Sequence, residues 1–157
     1  MDHWVRKLAR KGLWLMNLLL LAACSNDPGT GPLAIHWDRQ ACDHCRMVLS
    51  DHQHAAQIRQ RQAEGRLSQV FFFDDLGCAL VWLEAQPQPV REDPANEIWV
   101  AGWRDGFWLD ARAAHYLPGQ VTPMAYGLGA QSMPQAGTLT FAAAKARILT
   151  HEYSRHP

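Results

Sequence analysis

Two cysteines, a methionine and three histidines stand within residues 41–54, "ACDHCRMVLSDHQH". Thiolate, thioether and imidazole are soft to borderline donors, the kind that late transition metals select. Cys42 and Cys45 form a Cys-x-x-Cys pair, which admits four chemistries. Attachment of a c-type haem needs His directly after the second cysteine, and Arg46 stands there, so haem is excluded. A thioredoxin-type redox pair belongs to a βαβ unit. Here the motif follows only "IHWD" and no parallel-sheet pattern surrounds it. A structural zinc site needs two further ligands; His52 and His54 lie nearby, but no second close pair exists at finger spacing, and zinc stays open. The remaining donor is Met47. Thioethers serve zinc poorly and Cu(I) well, and Cu(I) tolerates two- or three-coordination. In an extended segment residues 45 and 47 point the same way, so both sulfurs can converge on one ion. His44, inside the motif, is the alternative ligand. A second methionine, Met124, lies in the loop "TPMAYGLG" at 122–129, where spacing alone leaves it between packing residue and ligand.

The start of the chain bears on where such chemistry would occur. Arg6, Lys7, Arg10 and Lys11 stand against one acid, Asp2, and precede the apolar run "LWLMNLLLLAA". A charged n-region and a short apolar h-region predict an export signal, shorter than the roughly 18 apolar residues of a membrane span. The "LAAC" ending at Cys24 resembles the lipobox of bacterial lipoproteins, which implies cleavage before Cys24 and a lipid on its sulfur. Ser25 in place of Asp implies sorting to the outer membrane. The expected location is the periplasm, on a lipid anchor. Removing residues 1–23 takes four bases and one acid from a chain with 15 of each, so the mature part is mildly acidic and has no electrostatic grip on nucleic acid. With Cys24 lipidated, Cys42, Cys45 and Cys78 remain, an odd number that makes no closed disulfide framework.

The elements that must position these residues read as α+β. Residues 24–33, "CSNDPGTGPL", form a flexible tether. "LSQVFFFDD" at 67–75 is a buried strand. Asp74 or Asp75 then caps a helix over 76–85, apolar around nearly its whole circumference. Residues 87–96, "PQPVREDPAN", form a polar, proline-rich linker and the best internal boundary. "EIWVAGW" and "FWLDA" around "RDG" predict a hairpin over 97–110. An irregular stretch over 115–137 follows, and Thr140 caps a last helix from Phe141. The organisation is thus a signal (1–23), a tether (24–33), an N-terminal half (34–86) and a C-terminal half (97–157), with a weak echo between the halves.

Taken together, "CDHCRMVLSD", "FFFDDLGCALVWL", "WLDARAAHYL" and "TPMAYGLGA", in this order behind a lipobox, resemble the NosL family, lipoprotein accessory factors of nitrous oxide reductase. The resemblance spans nearly the whole mature chain. It implies a non-enzymatic periplasmic protein that holds Cu(I) for assembly of the multicopper reductase, working with a periplasmic Nos maturation protein and its ABC transporter. It implies two small, similar ββαβ-type halves. Its Cys-x-Met pair falls on Cys45 and Met47, and its Thr-Pro-Met loop on Met124. Arg46 departs from the glycine often found in that position, and a cation beside the sulfurs favours a thiolate.

Plainer readings stand beside these. Cys42 and Cys45 can form a simple disulfide, and Cys78, on an apolar helix, reads as packing. His52, His54 and His115 read as solvated, and Trp99, Trp103 and Trp108 as sheet packing. One of Asp74 and Asp75 is accounted for by capping. The functional alternative to a copper carrier is a periplasmic thiol–disulfide oxidoreductase acting through Cys42 and Cys45.

Overall fold

The computed structural model describes residues 27–61 and 68–155; the signal, the lipobox and Cys24 lie outside them. The fold is α+β. Strands β1 (Ala56–Gln60), β2 (Gln69–Phe73), β3 (Glu97–Ala101) and β4 (Trp108–Asp110) form an antiparallel sheet in the order β2-β1-β3-β4. β5 (His115–Pro118) and β6 (Leu128–Gln131) pair as a separate ribbon. Helices α1 (Leu76–Glu84), α2 (Gln88–Arg91) and α3 (Phe141–Arg155) complete the described chain. Among the described residues no helix is long and apolar enough to cross a membrane.

The β3–β4 hairpin, β2, α1 and α3 stand where the sequence predicts them. Thr140 caps α3 through its hydroxyl, 3.4 Å from the Ala143 N–H. Linker residues 88–91 wind into the single turn α2, and the sheet draws β1 and β2 from before the linker and β3 and β4 from after it.

β1 is central, pairing with β2 through Ala56↔Phe73 and with β3 through Ala56↔Val100. Side chains alternate across a strand, so its two faces differ. Ile58 belongs to the apolar core that α1 completes with Leu76, Ala79, Leu80 and Leu83. Gln57 and Arg59, both fully buried, are covered by residues 27–33. Gln57 exchanges two hydrogen bonds with the Leu33 backbone, at 2.8 and 2.9 Å. The Arg59 guanidinium reaches Asp27 at 2.9 and 3.0 Å, and its Nε–H donates to the Gly31 carbonyl. The described part of the tether is therefore bound to the sheet.

The stretch 115–137, irregular by sequence, holds the β5–β6 hairpin. Its strands are four residues each and contain Pro118 and Gly129, so they lack the branched, alternating signature of a strand. Gly129 is required by a close approach: a Cβ there would lie 2.8 Å from the Trp103 ring. The consequence for the site is that loop 119–127, which carries Met124, is the connection of a hairpin.

Candidate metal centre

The cysteine motif is a small closed loop on the edge of the sheet. An antiparallel bridge joins Ala41 to Val48, the Cys42 N–H donates to the Met47 carbonyl (2.7 Å), and the Arg46 N–H donates to the Cys42 carbonyl (3.1 Å). Arg46 closes the turn with a left-handed backbone, φ +66°, uncommon away from glycine. The loop then docks on β2 by two bonds of 2.8 Å, from the Asp43 N–H to the Phe72 carbonyl and from the Phe72 N–H to the Asp43 carboxylate. β2 is an edge strand, and these bonds occupy part of its open edge.

β2 runs directly into Asp74, Asp75 and α1. Asp75 caps the helix, its Oδ1 accepting the Cys78 N–H at 3.0 Å. One turn of helix thus brings Cys78 under the motif loop. The sulfurs of Cys42, Cys45 and Cys78 and a carboxylate oxygen of Asp74 all lie within 4.8 Å of one another. Four such atoms from two segments can hold a metal ion. Three of the residues are buried and Cys45 is half-buried.

The electrostatics fit a cation. The Cys42 thiol is pulled down to about 6, first because Cys78 donates its S–H to the Cys42 sulfur, with further N–H donors from Cys45, Asp74 and His44. Arg46 is not among the causes: its side chain is 72% exposed and sits 3.8 Å from Asp43. Cys78 is held as a thiol, pushed up by that donated bond and by burial. Cys45 is pushed up to about 12 by burial, with Asp74 accepting its S–H at 3.1 Å. The other Asp74 oxygen, Oδ1, is buried with no hydrogen-bond partner. A buried acceptor without a donor costs about 1–3 kcal/mol, and a bound cation would remove that cost. All three cysteines are free thiols.

The residues singled out in the sequence are placed unevenly. Cys42 and Cys45 are in the cluster, while His44 contributes its backbone N–H and its imidazole is not one of the four clustered donors. Met47 is 54% exposed beside the motif. Met124 is half-buried against the core, and its backbone N–H is 3.2 Å from Asp75 Oδ2. Cys78, read from sequence as packing, is a member of the cluster. Asp74 was not a ligand candidate at all. The local pattern puts Asp74 and Cys78, four residues apart across the strand–helix junction, on one side, and nothing in it shows that they meet Cys42 and Cys45. His52 stacks on Trp37 at 3.8 Å, and His54 bonds Asp51 at 2.9 Å, its side chain only 9% exposed. No protein-family model matches the chain, and no curated protein matches it either.

Proposed function

We propose that the chain is a lipid-anchored periplasmic Cu(I) carrier, non-enzymatic, that supplies copper for maturation of nitrous oxide reductase. The observation that carries the metal reading is the convergence of three sulfurs and Asp74 within 4.8 Å in a largely buried setting. Cu(I) takes two or three sulfurs and no obligatory oxygen, and Cys42, Cys45 and Cys78 provide them. Metallation releases the thiol protons, and the Asp74 carboxylate stays beside the ion. The resemblance of the four sequence blocks to the NosL family supports the destination, a periplasmic Nos accessory protein with its ABC transporter, and the lipobox supports the anchor at Cys24.

One observation favours a thiol–disulfide oxidoreductase, the depressed Cys42 of a Cys-x-x-Cys pair. Exposure weighs against it. A nucleophilic thiolate has to reach a partner's sulfur, yet Cys42 is fully buried and the more accessible Cys45 is the one held protonated.

The test is anaerobic titration of reduced, metal-free protein with Cu(I) against a colorimetric chelator, alongside zinc. About one Cu(I) per chain is expected, bound more tightly than zinc. Zinc winning, through a tetrahedral set of three sulfurs and one oxygen, reverses the metal assignment. Copper-independent disulfide exchange that requires Cys42 and Cys45 establishes the oxidoreductase.

A further inference from the structure

Asp75 makes more contacts than a helix cap needs. Its Oδ1 takes the Cys78 N–H, and its Oδ2 takes both the Thr122 hydroxyl (3.0 Å) and the Met124 N–H (3.2 Å). One carboxylate, in a residue 2% exposed, therefore holds a cysteine of the cluster and the β5–β6 loop together across 49 positions of sequence.

Two further contacts seat the same loop. Gly77, the residue between Leu76 and Cys78, leaves room for the Tyr126 ring: a Cβ there would lie 2.0 Å from it. The Tyr126 hydroxyl donates to Glu152 of α3 at 2.7 Å. Within the loop, Thr122 also accepts the Gly127 N–H at 3.2 Å, and Ala125 adopts φ +60°. A non-glycine residue in that region persists where its surroundings over-determine it. The loop is thus held in one shape against the first turn of α1, the turn that delivers Asp74 and Cys78.

We infer that Asp75 is a positioning residue that ties Cys78 of the thiol cluster to loop 122–127, so that metal in the cluster and order in the loop are coupled. The coupling rests on metal binding by the cluster and not on the Cu(I) reading, since any ion held by the thiols serves.

The test uses the whole chain in detergent, reduced and metal-free. Asp75→Asn keeps an oxygen for the Cys78 N–H and loses the second acceptor for the loop. Cd(II) affinity should fall about tenfold, and an affinity equal to the parent's overturns Asp75 as a positioning residue. Thr122→Val, which removes the hydroxyl and leaves the cap intact, should reproduce a smaller fall while keeping the Cd(II)–thiolate absorbance of the cluster. Hydrogen exchange tests the coupling without copper: Cd(II) should slow the Met124 and Gly127 amides in the parent and have less effect in Thr122→Val. Equal Cd(II) protection in the two, or none in the parent, overturns the coupling. A parent that takes Cd(II) and not Cu(I), with protection intact, refutes the copper reading and leaves the coupling standing.

Discussion

Two buried polar networks sit on the sheet, and they differ in completeness. At β1, Arg59 is surrounded: Asp27 faces its guanidinium, the Gly31 carbonyl takes its Nε–H, and the Ser68 hydroxyl meets Nη1. Only the Nη2–H is out of line for a hydrogen bond, and even it lies 2.9 Å from an Asp27 oxygen. At the β2–α1 junction, Cys42, Cys45, Cys78 and Asp74 converge with a carboxylate oxygen left bare. A satisfied network fixes structure, whereas a half-satisfied one is costly unless something fills it. The first reads as a clamp for residues 27–33, the second as a seat for a cation.

The clamp gives the largest expected effect. Arg59→Leu removes the charge that Asp27, Gly31 and Ser68 are built around, and breaking a buried pair costs about 3–5 kcal/mol. Asp27 is partly exposed and can rehydrate, so the lower figure, about 3 kcal/mol, is expected from urea unfolding. Cd(II) binding by the folded fraction should be retained. Loss of metal binding in proportion beyond the unfolded fraction breaks the distinction between clamp and seat.

The seat gives the next effect, and it needs a ligand to appear. Cu(I) at roughly a hundred times its dissociation constant should raise stability by about 2.7 kcal/mol if only the folded form binds. Cys42→Ser and Cys78→Ser should each erase most of that gain. Differential scanning with and without Cu(I) measures it. A Cys78→Ser variant stabilised as well as the parent returns Cys78 to packing.

Thiol titration in the metal-free protein comes third. Cys42 is lowered from an ordinary value near 9 to about 6. Its contribution to stability is full above pH 9 and is lost as pH falls through 6. Cys45 and Cys78 are raised, so above pH 9, where the unfolded thiols ionise first, they subtract. Urea midpoints should climb from pH 6 to 9 and turn over beyond it. Cys42→Ser should flatten the climb; a climb that survives the substitution assigns it elsewhere.

The sequence spoke most clearly where one feature dominates a segment. The β3–β4 hairpin carries alternation around a tight turn, and α1 is apolar on every side behind an acid cap. β1 was silent, because Gln57 and Arg59 make "AQIRQ" look like surface, and only the distant partners Leu33 and Asp27 permit their burial. The tether looked free for the same reason. At the site, Cys42 and Cys45 announced themselves by spacing. Cys78 and Asp74 did not, since their convergence depends on β2 entering α1 beneath the motif loop. Local pattern reveals ligands on one segment and is blind to those supplied across the fold.

Met47 should show the smallest effect, and it separates the buried seat from its rim. Its side chain is 54% exposed, so Met47→Leu should change stability by no more than about 0.5 kcal/mol. The Met47 N–H faces the Cys45 sulfur, and the substitution keeps that backbone donor. If the exposed side chain folds in over Cu(I), affinity should fall a few-fold, with Zn(II) affinity unmoved because thioethers serve zinc poorly. Anaerobic chelator competition for Cu(I), beside Zn(II) titration, reads both. Equal losses for the two metals would mean that Met47 shapes the loop and donates nothing. A copper affinity identical to the parent's would leave Met47 as exposed surface outside the cluster.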